Sequence, residues 1–309
     1  MALASSLDFD EVAAGQVGIV VTELAGNLVK HAGGGDIILR QLHSVSTKGL
    51  EVMSLDKGPG IEDVARCLED GYSTAGSPGT GMGAVGRLSG SMDIYSQIGK
   101  GTAIMAPVWA KPLRKPEPQH VGALCIAVGG ESECGDGWAL LRVDNKIRII
   151  ATDGLGHGPL AAKATEYALE IFQEYQSLAP AQLIAELHKA LLSTRGAAIA
   201  TAEIYLDKQE MKFAGVGNIS GAIISGLKLK GLASYNGTVG HQMYKVQEIT
   251  YNCPANSIVI LHSDGLTNRW RLEDYPGLNH RHPSLIAGVL YRDFQRGRDD
   301  ATVLALSTV

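Results

Sequence analysis

The sequence predicts an α/β (α+β) protein of two domains, and three observations lead there. The chain has 309 residues, more than the roughly 250 at which a single core stops growing. Residues 110–120 carry three prolines among alternating charges, the composition of an extended spacer. On either side, short apolar strands alternate with runs of helical period, so each flank reads as mixed α and β. The expected division is a domain over residues 1–109, a linker over 110–120 and a domain over 121–309.

In the first domain, residues 10–30 read as a helix, with Val12, Ile19, Val20, Leu24 and Leu28 at helical spacings. Glu23 and Asn27 are four apart and share one face of it. Gly33-Gly34-Gly35 ends the helix, and strands follow at 36–42 and 50–55. The second strand runs into Asp56-Lys57-Gly58-Pro59-Gly60. A short helix from 61 and a polar stretch with Tyr72-Ser73-Thr74 come next. The glycine run Gly79, Gly81, Gly83 and Gly86 then opens a helix towards Leu88, and a hairpin of 92–96 and 102–108 closes the domain. Backbone N–H groups at a glycine-rich helix start can approach phosphates closely.

The second domain begins with a strand at 121–128, a glycine-rich turn, and strands at 138–143 and 146–152. The last of these delivers Asp153-Gly154-Leu155-Gly156-His157-Gly158-Pro159. Helices are expected at 160–175 and 181–194, started by Pro159 and Pro180. Strands at 198–206, 211–216, 221–225 and 227–232 read as a meander. An apolar strand at 257–262 ends in Ser263-Asp264-Gly265. A helix at 283–291, the turn Gly297 to Thr302 and a strand at 303–306 complete the chain.

Composition excludes several classes of function. A net charge of −5 offers no general attraction for nucleic acid. No apolar run approaches the roughly 20 residues of a membrane span, and the start lacks a charged leader. The expected location is the cytoplasm, with oligomerisation left open. The four cysteines show no zinc-ligand spacing and are expected to be reduced and mostly buried.

The chemistry concentrates in carboxylates. Asp136, Asp153, Asp264 and the pair Asp299-Asp300 all fall at strand ends beside glycine or turn residues. One such Asp is more often a turn residue. Four positions with this context favour an oxygen-rich site for Mg2+ or Mn2+. His157 reads equally as a general acid or a turn histidine. Asn218 reads first as a turn cap and second as a residue orienting a loop near the site.

In the first domain, Glu-x3-Asn on a helix, Asp-x-Gly-x-Gly after a strand and a glycine run at a helix start resemble the GHKL (Bergerat) ATP-binding family. Glu23-Leu-Ala-Gly-Asn27-Leu-Val-Lys30-His31-Ala-Gly and Asp70-Gly-Tyr-Ser-Thr-Ala-Gly point to its branch of bacterial switch-protein serine kinases and anti-sigma factors. The resemblance implies a Bergerat-type α/β sandwich that binds ATP or ADP with Mg2+. It implies that Glu23 orients a nucleophile, Asn27 holds Mg2+ and Asp56 reads adenine. Gly58, Gly60, Gly79, Gly81, Gly83 and Thr102 would line the nucleotide site.

The second domain resembles the metal-dependent protein phosphatase (PPM) family, in its SpoIIE-like branch. The likeness is carried by Gly135-Asp136, Asp153-Gly154-x-Gly156-His157-Gly158, Ser263-Asp264-Gly265 and Asp299-Asp300-Ala301-Thr302. Gly215-Val-Gly-Asn218-Ile and Asn236-Gly-Thr-Val-Gly240 match as well. It implies an α-β-β-α sandwich holding two Mn2+ or Mg2+ ions and hydrolysing phosphoserine or phosphothreonine. Asp153 would bridge both ions and Gly154 would bind one through its carbonyl. Asp264 and Asp299 would complete one ion, Asp136 would hold the other, and Asp300 is the alternative to Asp299. Together the two resemblances imply a STAS-domain antagonist or scaffold phosphoprotein as substrate, with a sigma factor or other switch protein as a further partner. The rival reading is a non-catalytic ATP-binding module that docks a sigma factor or scaffold.

Overall fold

The computed structural model describes residues 3, 6–44, 46–68, 81–113, 120–143, 145–226 and 228–308. The chain forms two compact units, Met1–Gln119 with Asp274–Arg292, and His120–Glu273 with Asp293–Val309. Residues 274–292, expected in the second domain, therefore group with the first unit.

In the first unit, Asp10 caps helix α1 (Glu11–Asn27) by accepting from Ala13 N at 2.8 Å. The helix passes into a π-helical turn, Leu28–Ala32, and stops at Gly33, whose φ of 73° is left-handed. The remaining elements are β1 (Asp36–His43), β2 (Lys48–Leu55), the single turn α2 (Val64–Cys67), α3 (Gly81–Leu88), β3 (Asp93–Gln97) and β4 (Gly101–Trp109). The strands form one antiparallel sheet in the order β1-β2-β4-β3. Val17, Val20 and Leu24 of α1 pack with Leu50, Val52, Ile104 and Val108 on one face.

The other face of β2 is buried too, because the helix Pro283–Phe294 lies against Met53 and Leu55. A Cβ on Gly288 would stand 2.7 Å from Met53 Sδ, so this approach requires a glycine. Beside it, Ser284 Oγ donates to Glu51 Oε2 at 2.8 Å, and Arg40 Nε donates to Glu51 Oε1 at 3.0 Å. Both Glu51 and Ser284 are fully buried.

One expectation changes here. Glu11–Ala32 spans 22 residues with mean hydropathy 1.5, long and apolar enough to cross a membrane by length and composition. Its many Ala, Gly and Val residues raise hydropathy without an unbroken apolar run. Ala13, Ala14, Val17, Val20 and Leu24 belong to this unit's core.

The second unit contains β5 (Val121–Ile126), β6 (Asp136–Val143), β7 (Lys146–Gly154), α4 (Pro159–Glu174), α5 (Pro180–Ala190), β8 (Ala197–Tyr205) and β9 (Glu210–Val216). It continues with β10 (Ser220–Ser225), β11 (Lys228–Leu232), β12 (Ile249–Asn252), β13 (Ile258–His262) and β14 (Ala301–Ser307). Two five-stranded sheets result, in the orders β11-β10-β13-β14-β5 and β12-β9-β8-β7-β6. Ile147, Ile149, Ala202 and Phe213 from one meet Val259, Leu261, Leu304 and Leu306 from the other. Ile150, on the opposite face of β7, meets Phe172, Leu183 and Leu187 from α4 and α5. That is the period-two alternation of a strand covered on both faces.

The expected meander is corrected. β8 pairs with β9 in one sheet, while β10 and β11 pair in the other. The chain changes sheets at Gly217, whose φ of 99° lets the backbone turn away from the β8–β9 ladder. The short strand β12 is absent from the expectations, since four residues after a charged stretch show little periodicity. Of the cysteines only Cys253 is buried; Cys67, Cys125 and Cys134 are partly exposed, contrary to expectation.

Candidate functional site

Strands β6 and β7 carry the first two carboxylates. The ladder places Asp136 directly opposite Asp153, so two anions meet where the strands leave the core. Asp136 is 5% exposed, and its Oδ2 has no hydrogen-bond partner among the described residues. Burial, then the charges of Asp300 and Asp299, raise its pKa to about 7 despite a stabilising Ser263 hydroxyl. Burial, then the charges of Asp136, Asp264, Asp299 and Asp300, raise Asp153 to about 8. The two acids thus share one electrostatic environment with the three from the other sheet.

Asp264 follows β13, and Asn218 Nδ2 donates to its Oδ2 at 2.8 Å. Asn218 therefore contacts the side chain of a candidate ligand, whereas its local sequence reads first as a turn cap. Ser263 ties this loop to the start of β14, with its N donating to Thr302 O at 3.1 Å and its Oγ accepting from Thr302 N at 3.0 Å. A side chain on Gly265 would collide with the Asp300 carbonyl. Asp299 Oδ1 accepts from Asp300 N at 3.0 Å.

The two adjacent acids differ. Asp300 is 2% exposed, and its two oxygens accept from Val128 N at 2.7 Å and Gly135 N at 2.6 Å. It braces the 127–135 loop through both oxygens, whereas the hydrogen bond of Asp299 uses one oxygen only. Gly154 donates its N–H to Gly135 O at 3.0 Å, and a Cβ there would strike the Ala161 carbonyl.

An all-oxygen donor set with an orphaned buried carboxylate oxygen fits a hard divalent cation. No three His, Cys, Asp or Glu side chains among the described residues are gathered closely enough to hold an ion as they stand. Like charges oppose that approach.

Around this edge lie groups that local sequence did not reveal. Glu131 Oε1 is 2.7 Å from His157 Nδ1, giving His157 a carboxylate partner. Arg195 lies against Gly156. Neither pairing has a sequence signal, because the partners are brought together only by folding.

In the first unit, the carboxylate of Glu23 lies against Gly81 at the start of α3, and Asn27 Nδ2 donates to Met82 Sδ at 3.3 Å. Gly83 is buried within α3. Asp56 Oδ1 accepts from Gly58 N at 2.8 Å and Thr102 N at 3.2 Å, and Asp56 N donates to Thr102 O at 2.9 Å. Gly60 has φ 82° and borders Gln97. The structure thus gathers Glu23, Asn27 and Gly81 in one place, and Asp56, Gly58 and Thr102 in another. Gly79 and the Asp70 to Gly76 motif lie outside the described residues.

A family model described as Stage II sporulation protein E (SpoIIE) matches residues 143–309, more than half of the chain. Serine/threonine-protein kinase RsbT of Bacillus subtilis (strain 168) is 37% identical over 109 residues, which are 35% of this chain and 82% of RsbT. A solved structure concerning the bacterial stressosome, a modular system adapted to control secondary messenger signaling, has a TM-score of 0.57 at 24% identity. It covers 60% of this chain and 97% of its own. RsbX in complex with magnesium has a TM-score of 0.52 at 21% identity, over 62% of this chain and 96% of RsbX. The PP2C phosphatase domain of Bacillus subtilis SpoIIE, with a fragment of its regulatory domain, has a TM-score of 0.52 at 16% identity. That match spans 95% of this chain and 88% of the other. The structural likenesses establish a PPM-type fold. The chain belongs to the Stage II sporulation protein E family through residues 143–309 and, over the 109 residues it shares with RsbT, to that kinase's family.

Proposed function

We propose that this protein is a bacterial signalling enzyme, a metal-dependent phosphoserine/phosphothreonine protein phosphatase joined to an ATP-binding domain of the switch-kinase type. Its substrate is a phosphorylated STAS-domain antagonist or scaffold of a partner-switching stress pathway, and its location is the cytoplasm. The observation that carries the reading is the opposition of Asp136 and Asp153, with a buried Asp136 oxygen lacking a partner.

Asp153, the Gly154 carbonyl, Asp264 and Asp299 would hold Mn2+ or Mg2+, with Asp136 serving the second ion. When bound, such ions neutralise phosphate charge and lower the pKa of water towards about 7. The chain's own residues prepare that site. Asn218 fixes the rotamer of Asp264, and Asp300 fixes the loop that carries Asp136. Glu131 engages His157 Nδ1, which leaves Nε2 to exchange a proton with a leaving serine or threonine oxygen.

The likeness to RsbT supports ATP binding and serine phosphorylation in the first unit, with Glu23 and Asn27 as its working residues. A second reading, nucleotide-dependent docking of a sigma factor or scaffold without phosphoryl transfer, is favoured by one contact. The Asn27 amide is engaged by Met82 Sδ. The deciding experiment incubates the full chain with a phosphorylated STAS-domain protein and Mn2+ and measures released phosphate. Parallel labelling from radioactive ATP with the unphosphorylated substrate separates the two readings of the first unit.

A further inference from the structure

The turn between α5 and β8 sets an arginine against the loop that follows Asp153. A single 3-10 turn, Leu191–Ser193, ends the helix. Thr194 Oγ1 then donates to Leu191 O at 2.8 Å and accepts from Gly196 N at 3.0 Å. Gly196 has φ 76°, and its carbonyl accepts from Leu155 N at 3.0 Å. The backbone on both sides of Arg195 is therefore pinned, one side directly to the loop of Asp153.

The side chain completes the approach. A Cβ on Gly156 would stand 3.1 Å from Arg195 Nη1, so the guanidinium lies close over Gly156 and a side chain there would push it aside by a few tenths of an ångström. Gly156 also has φ 88°, a conformation that side-chain-bearing residues resist. Its carbonyl oxygen borders Gly135, whose N–H holds Asp300. Arg195 is exposed and, among the described residues, has no hydrogen bond and no carboxylate partner within ion-pair distance.

An unpaired guanidinium over the loop that follows Asp153 has a chemical use. A phosphate monoester approaching these anions is repelled, and the planar Arg fork offers parallel N–H donors that match two phosphate oxygens. No internal ion pair has to be broken first. We propose that Arg195 binds the phosphate of the phosphoserine or phosphothreonine substrate, with Gly156 kept free of a side chain so that the guanidinium can lie over the Asp153 loop. The inference rests on the phosphatase reading and names the residue that holds its substrate's phosphate.

The test uses the full chain loaded with Mn2+ and follows inorganic phosphate binding by calorimetry, beside Mn2+ affinity and phosphopeptide turnover. Arg195→Met should weaken phosphate binding by about tenfold or more while Mn2+ affinity stays within about twofold. Arg195→Lys should recover part of the loss, and KM for a phosphoserine peptide should rise more than kcat falls. Phosphate affinity unchanged within about twofold in Arg195→Met would overturn the proposal, as would absence of phosphate binding by the unmodified protein. If Arg195→Met loses phosphate binding in a chain that hydrolyses no phosphopeptide, the arginine's role stands and the hydrolase reading falls.

Discussion

Asp136 and Asp153 face each other across the β6–β7 ladder, and folding holds both near neutrality rather than in the usual carboxylate range. Burial is the larger cause for each. An unfolded Asp titrates near about 4, so between about pH 4 and 8 the folded protein binds more protons than the unfolded chain. Stability therefore falls as pH rises through that window, the reverse of a salt-bridged carboxylate.

Thermal melts in EDTA should show it. The melting temperature is expected to drop from pH 5 to pH 8, and Asp153→Asn should remove the Asp153 share of that slope while the share due to the buried Asp136 remains. Added Mn2+ should restore stability at pH 8 in the unmodified chain but not in the variant. An identical slope in the two chains would contradict this electrostatic account.

Asp299 and Asp300 should separate by stability and Mn2+ affinity. Asp300 accepts two backbone N–H groups in a buried place, and Asn can replace only one acceptor. Asp300→Asn should cost about 1–3 kcal/mol in urea unfolding. Asp299→Asn should leave unfolding nearly unchanged and lose Mn2+ affinity. The opposite pattern would make Asp300 the ligand.

The first unit contains its own buried charge. Ser284 Oγ donates to Glu51, and Arg40 supplies the matching cation. Ser284→Ala should destabilise the unit by about 1–3 kcal/mol, because a fully buried carboxylate oxygen loses its donor. Loss of protection in β2 by hydrogen exchange is the measurement, and unchanged protection would show that Glu51 needs no such partner.

Asp56 organises a turn as well as a proposed adenine site. Asp56→Ala removes the acceptor for Gly58 N and Thr102 N, so nucleotide binding should fall below detection in calorimetry. Asn27→Ala should abolish label transfer from radioactive ATP. Label transfer that survives Asn27→Ala would remove that residue from the catalytic reading.

How much of this was legible in the sequence follows from which contacts are local. Strand, glycine and Asp in succession mark Asp153 and Asp264, because a buried strand end and a tight turn are written in adjacent residues. The pairing of Asp136 with Asp153 follows from one hairpin. Asn218 with Asp264 and Glu131 with His157 are 46 and 26 residues apart, and nothing local announces either. Asp300 reads as an alternative ligand in sequence, and its two backbone partners, which add a bracing role, lie 172 and 165 residues away. The meander fails for the same reason: four consecutive strands read alike whether they stay in one sheet or change sheets at Gly217.

The most direct test of the central claim is phosphate release from a phosphorylated STAS-domain protein by the full chain with Mn2+. Turnover is expected that EDTA abolishes and that Asp153→Ala and Asp264→Ala each reduce by at least about a hundredfold without unfolding the protein. Undiminished release by either variant, or none by the unmodified chain, would contradict the claim.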